Sequence, residues 1–129
     1  MDALSLVIPA YNEADVIATA VEEADAALGE LFEPYEILVV DDGSSDDTAA
    51  IVERLAVAFP SVRLLRHQAN HGYGAALRTG FETAAFDRIA FTDADCQFDL
   101  TDLAKMVPLA DEFPIVAGYR IGRKDPWRR

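Results

Sequence analysis

A single cysteine, Cys96, leaves this chain without an internal disulfide or a cysteine-based zinc cluster, which fits a reducing, cytoplasmic setting. No apolar stretch approaches the roughly 18 to 20 residues that a membrane helix needs. A secretory leader is not expected either, because Met1-Asp2 opens on an acid and the apolar run from Ala3 to Ala10 stops at Tyr11-Asn12-Glu13. Bases are scarce: 11 lysines and arginines face 23 acids, a formal net charge of −12. A polyanion would be repelled over most of such a surface, so no nucleic acid partner is expected. The bases are also unevenly placed. Arg120, Arg123, Lys124, Arg128 and Arg129 follow Gly118 against one acid, Asp125, so an acidic body ends in a basic tail. Repeats, low-complexity tracts and linkers are lacking.

What is present is an apolar content of 51% over 129 residues, enough for one domain with a real core. Apolar runs of strand length alternate with longer stretches of helical period, the pattern of consecutive βαβ units in a parallel sheet. Strands are predicted over Leu4 to Pro9, Glu36 to Val40, Val62 to Arg66, Arg88 to Thr92 and Ile115 to Tyr119. Four helices are predicted between them. Asn12 is expected to cap the first, with Gly29 where it should stop. Ser45 or Asp46 is expected to cap the second, which ends before Pro60. The third follows Gly72-Tyr73-Gly74 and the fourth begins near Thr101-Asp102.

The chemistry gathers where strands end. Asp93-Ala94-Asp95 closes the run Arg88 to Thr92, and two acids one residue apart at a strand end can hold a divalent cation. Open α/β sheets bind ligands outside the carboxyl ends of their strands, where strand order reverses. That rule brings Pro9 to Glu13, Asp41 to Asp46 and Asp93 to Gln97 to one edge. So many carboxylates on one rim repel each other unless a cation joins them.

These segments, in this order and spacing, resemble family 2 glycosyltransferases of the GT-A fold, in particular the dolichyl-phosphate mannose synthases and polyprenyl-phosphate glycosyltransferases. The matching marks are Pro9-x-Tyr11-Asn12-Glu13, Val40-Asp41-Asp42-Gly43-Ser44-x-Asp46, Asn70-x-Gly72 with Ala75 and Gly80, Asp93-x-Asp95-x-Gln97 and Gly118-Tyr119-Arg120, spread from Leu4 to Arg129. The resemblance implies an α/β fold, a three-layer sandwich around a mostly parallel central sheet of the nucleotide-diphospho-sugar transferase type. It implies one nucleotide-sugar-binding domain over residues 1–129, incomplete at its C-terminus, since relatives continue into an acceptor half. By the same resemblance Pro9, Tyr11 and Glu13 border the nucleobase and ribose, Asp41 reaches the base or ribose, and Asp42 supports it closely. Asp93, Ala94 and Asp95 serve the ribose and the metal, with Asp95 and Gln97 as ligands of Mg2+ or Mn2+, ions that favour such hard oxygen donors. Arg120 meets phosphate, joined by Arg123, Arg128 or Arg129 on a polyprenyl phosphate acceptor. Asp93, Asp95 and Arg120 are thus the implied catalytic residues. The activity implied is sugar transfer from a UDP- or GDP-sugar, at the inner, cytoplasmic face of a membrane in the full-length protein. A lipid phosphate is already an anionic nucleophile, whereas transfer to a saccharide hydroxyl would need a carboxylate base.

Plainer readings stand beside several of these residues. Gly43 permits a turn and Asp46 suits a cap, so Asp46 is expected to be structural. Gly72-Tyr73-Gly74 lacks the third glycine of a dinucleotide fingerprint, since position 77 is leucine, and reads as a tight turn that lets the third helix pack closely. His67 and His71 read as solvent or turn residues. Trp127 among its arginines suits a headgroup surface or a frayed end equally. A signalling receiver domain would need acids after the first strand, a phosphorylated Asp after the third and a Lys after the fifth, where this chain has Pro9-Ala10-Tyr11, Arg66-His67 and Tyr119-Arg120. A nucleotidyltransferase would carry a glycine-rich basic loop after its first strand, which Pro9 to Glu13 does not provide. A nucleotide-sugar-binding module without turnover is the remaining alternative.

Overall fold

A computed structural model of the chain describes residues 3–94 and the backbone of Ile115–Val116. Among these residues the elements run β1 (Leu4–Ala10), α1 (Ile17–Leu31), β2 (Tyr35–Asp42), α2 (Thr48–Ala58), β3 (Val62–His67), α3 (Tyr73–Thr83), β4 (Ile89–Phe91) and β5 (Ile115–Val116). The strands form one sheet in the order β3-β2-β1-β4-β5, parallel at every junction. The expected helix near Thr101 lies outside the described residues.

The two central strands read as near-continuous apolar runs because helices cover both faces of the sheet. The period of two then sorts their side chains. Leu4, Leu6, Ile8 and Ala10 of β1 and Ile37 and Val39 of β2 meet Ile17, Val21 and Leu28 of α1 and Val52 and Leu55 of α2. Val7, Leu38 and Val40 point the other way, onto Ala76, Leu77 and Phe81 of α3. Three layers result. Each fully buried Leu, Ile or Val contributes about 1.5 to 3 kcal/mol relative to exposure, so these stripes fix the register.

The amino edge of the sheet is pinned by a buried acid. Glu36 accepts from the Ser5 hydroxyl at 2.6 Å, the Ala85 N–H at 2.6 Å and Arg63 Nη1 at 3.1 Å, which ties the connection after α3 to β1, β2 and β3. At Gly80 a methyl group would collide with Val7 Cγ1, so this glycine sets how closely α3 approaches β1. A Cβ at Gly74 would meet nothing within 4 Å. The close packing expected of the Gly72 to Gly74 segment therefore belongs to Gly80, and the turn itself to Gly72 with φ 101°.

Three helix boundaries differ from expectation. Neither Ser45 nor Asp46 holds the cap position of α2, which falls to Asp47 without a side-chain cap bond, although Asp46 accepts from the Thr48 N–H. Gly29 does not stop α1, which runs to Leu31 and ends as Phe32 turns extended and donates its N–H to the Leu28 carbonyl. Pro34 explains the end, because the residue before a proline is driven out of helical geometry. Asn12 does not cap α1. Val16 holds that position without a side-chain cap bond, and Asn12 serves a different segment.

Candidate functional site

Strand order reverses at β1, with β2 and β3 on one side and β4 and β5 on the other. Asp41 pairs in register with Ala10, and Phe91 with Val7, while the Thr92 N–H still donates to the Val7 carbonyl at 3.1 Å. Asp41 and Asp93 thus flank the carboxyl end of β1 from neighbouring strands, two strand spacings or about 10 Å apart. Asp93 and Ala94 are buried there, and Tyr11, just past β1, is 47% exposed. Pro9 is buried opposite Val40, and Glu13 is half-buried. Asp95, Gln97 and Arg120 lie outside the described residues.

The adjacent acids Asp41 and Asp42 face opposite ways, following the alternation of β2. Asp42 continues the row of Leu38 and Val40 toward α3, where its carboxylate accepts from the N–H groups of His71 (2.9 Å) and Gly72 (2.8 Å), from Asn70 Nδ2 (3.2 Å) and from His67 Nδ1 (2.7 Å). Burial by itself would push its pKa up, but the N–H of His71, the His67 ring and the N–H of Gly72 outweigh it and hold the carboxyl below its ordinary value. A carboxylate accepts only, so His67 donates from Nδ1, and in the neutral ring Nε2 accepts from the Thr79 hydroxyl at 2.8 Å. The anion at the start of α3 is therefore a side chain of the protein. This accounts for Asn70-x-Gly72: the amide and the φ 101° turn bring three donors onto Asp42.

Asp41 continues the row of Ile37 and Val39. Its Oδ1 accepts from the Ser44 N–H at 3.3 Å, while Oδ2 is buried without a hydrogen bond from any of the described residues. The guanidinium of Arg66 stands 3.9 Å from Oδ2, an ion-pair distance too long for a hydrogen bond. Arg66 is more than half exposed and lines a hollow of about 480 Å³ with Gly43, Ser44, His67 and Gln68. Gly43 has φ 77°, and a methyl group there would strike the Ala69 backbone at 2.5 Å, so only glycine lets the loop after β2 pass this close to the loop after β3.

The loops after β1 and β2 are clasped together. The Asn12 N–H donates to Ser44 Oγ at 2.8 Å, and Asn12 Oδ1 accepts from the N–H groups of Ser45 (2.8 Å) and Asp46 (3.3 Å). In return the Glu13 N–H donates to Thr48 Oγ1 at 2.9 Å and the Ala14 N–H to Asp46 Oδ2 at 3.2 Å. Asp46 also accepts from the N–H and hydroxyl of Thr48 at the start of α2, and that hydroxyl chiefly holds its carboxyl below the ordinary value. Asp46 is structural, as expected.

The sequence pattern does not single out Arg66, and His67, expected to be a solvent or turn residue, ends β3 with its side chain only 13% exposed. The signal was in the register: aligning the ends of β2 and β3 places Arg66 opposite Asp41 and His67 opposite Asp42. Among the described residues no three His, Cys, Asp or Glu side chains stand close enough to hold a metal ion. Among the described residues Asp41 and Asp93 bring buried carboxylates to the switch point, from β2 and from the end of β4.

A parallel sheet that reverses order at β1, with acids gathered at that point, defines a doubly wound α/β domain, and its structural neighbours are GT-A glycosyltransferases. The chain belongs to glycosyl transferase family 2, whose family model matches residues 5–129. It is 36% identical over 131 residues to an undecaprenyl-phosphate 4-deoxy-4-formamido-L-arabinose transferase of Serratia proteamaculans, covering 98% of this chain and 39% of that protein. It is 38% identical to the transferase of the same description from Klebsiella pneumoniae, covering 95% of this chain and 38% of that protein. The chain thus spans about two fifths of the length of these relatives. Among solved structures it is similar to the Pyrobaculum calidifontis mannosyltransferase PcManGT in complex with GDP-Man and Mn2+, with a TM-score of 0.74 and 27% identity over 83% of this chain and 32% of that one. It is similar also to Staphylococcus aureus TarS 1-349, with a TM-score of 0.66 and 26% identity over 84% of this chain and 32% of that one.

Proposed function

We propose that residues 1–129 are the donor-binding part of a glycosyltransferase that moves a sugar from a UDP- or GDP-sugar to a polyprenyl phosphate, at the inner face of a membrane. The observation that carries this reading is the buried Oδ2 of Asp41, which has no hydrogen bond from the described residues and only a long ion pair with Arg66, beside the hollow that Arg66 lines. Leaving such an atom without a hydrogen bond costs about 1 to 3 kcal/mol, so the position calls for a donor beyond the described residues, and a nucleobase or ribose would supply N–H or O–H groups. The exposed ring of Tyr11, next to Ala10 and so beside Asp41 in register, offers a face for the nucleoside. The GDP-Man and Mn2+ of the mannosyltransferase and the undecaprenyl phosphate named in the relatives supply the donor, ion and acceptor classes.

In this reading Asp41 and Tyr11 fix the nucleoside, Asp93 stands two strands away toward the diphosphate, and Asp95 follows it in sequence. A divalent ion held by Asp95 and Gln97, when bound, neutralises charge on the departing nucleoside diphosphate. Arg120 and the basic tail meet the acceptor phosphate, whose oxygen needs no strong general base. No helix among the described residues is long and apolar enough to cross a membrane.

Calorimetry with UDP and with GDP, each with Mn2+ and with a chelator, tests the proposal. Binding is expected with metal, and is expected to be lost in chelator and in Asp95→Ala and weakened at least tenfold in Asp41→Asn, about 1.4 kcal/mol. Equal affinity in chelator, or an Asp41→Asn variant that binds as wild type does, refutes it.

A further inference from the structure

Asn12 has φ 53°, the left-handed region that few side chains tolerate, and this conformation aims its amide at the loop after β2 rather than at its own helix. Oδ1 takes the N–H groups of Ser45 and Asp46, both of which precede α2, and the Asn12 main chain donates to Ser44. Thr48 and Asp46 return the contact to Glu13 and Ala14. All these bonds link residues 32 to 35 positions apart, and they join the segment carrying Tyr11 to the one carrying Asp41, Gly43 and Ser44. The side chain is exposed and caps no helix of its own, so stabilising α1 does not account for it.

We propose that Asn12 is a positioning residue for the donor: it locks the loops after β1 and β2 into one preformed nucleoside pocket without touching the ligand. The inference rests on the donor-site reading above. Without the clasp the two loops move independently, and only the fraction of molecules with both in place is competent to bind. The apparent dissociation constant then rises as the inverse of that fraction.

The test uses the 129-residue chain, with UDP and GDP in the presence of Mn2+ as probes. Asn12→Gly keeps the left-handed backbone and removes the amide, whereas Asn12→Asp keeps both the backbone preference and an acceptor oxygen. Affinity is expected to fall about tenfold in Asn12→Gly, with a less favourable binding entropy and a thermal midpoint within a few degrees of wild type, and to recover in Asn12→Asp. Thr48→Val breaks the clasp from the α2 side and is expected to weaken binding in the same direction, which carries the test should Asn12→Gly fold poorly. Unchanged affinity in both Asn12→Gly and Thr48→Val, or an Asn12→Asp variant as impaired as Asn12→Gly, overturns the proposal. Asp41→Asn separates the two readings. If it abolishes binding while the clasp variants bind normally, the donor site stands and the positioning role falls; if wild type binds neither nucleotide, both fall.

Discussion

Replacing Asp42 by asparagine should unsettle the fold far more than the same change at its neighbour Asp41. The Asp42 carboxylate takes four donors within 3.2 Å, two of them main-chain N–H groups at the entry to α3. An asparagine amide can accept at only one of the two oxygen positions. With its nitrogen in place of Oδ1, the His67 ring can change tautomer and accept, but the His71 N–H then faces another donor. One charge-assisted bond is lost outright and the others weaken, for about 2 kcal/mol. Asp42→Ala leaves the His71 and Gly72 N–H groups and His67 without their acceptor, for about 4 kcal/mol, eased by water at exposed His71. For a chain of this size about 2 kcal/mol lowers the melting temperature by roughly 8 °C. Asp41→Asn removes a charge paired only with a largely exposed Arg66 at 3.9 Å, so its effect should stay below about 1 kcal/mol. Thermal and urea unfolding followed by circular dichroism measure all three. An Asp42→Asn variant melting within 2 °C of wild type, or an Asp41→Asn variant equally destabilised, would refute this division of labour, using the scale above.

Acid should weaken the same anchor. The folded-state pKa of Asp42 lies below the ordinary 3.8, so its contribution is present in full above that value and is lost as pH falls through the folded pKa; urea midpoints should decline below about pH 4 in wild type and less steeply in Asp42→Asn. Gly80→Ala should cost about 1 to 2 kcal/mol, overpacking against Val7 exceeding the gain in helix propensity, and Val7→Ala in the same chain should recover part of it in a double-mutant cycle. A Gly80→Ala variant as stable as wild type would mean that α3 shifts freely on the sheet. Gly43→Ala should be worse, because its methyl group meets backbone rather than side chain and its φ is 77°; unfolding free energies rank the two.

Most of the sheet was legible because both central strands are covered on two faces, so apolar runs such as Leu4 to Ala10 admit no other reading. The helix starts were less so. Asn12 and Asp46 have the chemistry of caps, and sequence alone assigns a cap to the helix that follows it. Here Asn12 reaches 33 residues ahead to Ser45, and nothing local in the sequence marks so long a connection. Gly29 misled for the opposite reason: glycine often ends helices but does not have to, and Pro34 is the firmer stop. The gathering of Asp41 and Asp93 at one edge followed from the switch-point rule, which needs only strand order. Which acid turns where does not follow from that rule.

That last point was available from parity. In β2 the odd positions Ile37 and Val39 serve α1 and α2, and the even positions Leu38 and Val40 serve α3, so the consecutive acids that end the strand must part company. Asp42 falls on the α3 side, where the main-chain donors of a helix start await an anion, and becomes part of the fold. Asp41 falls on the other, beside the loops that Asn12 joins, where one oxygen has no hydrogen-bond donor among the described residues. In the proposed function two identical side chains one residue apart thus divide anchoring from ligand capture. A one-residue slip of β2 would exchange them, burying the ligand acceptor under α3 and turning the anchor toward the nucleoside. The packing of Ile37 to Val40 that prevents the slip therefore also determines which acid is left for the donor.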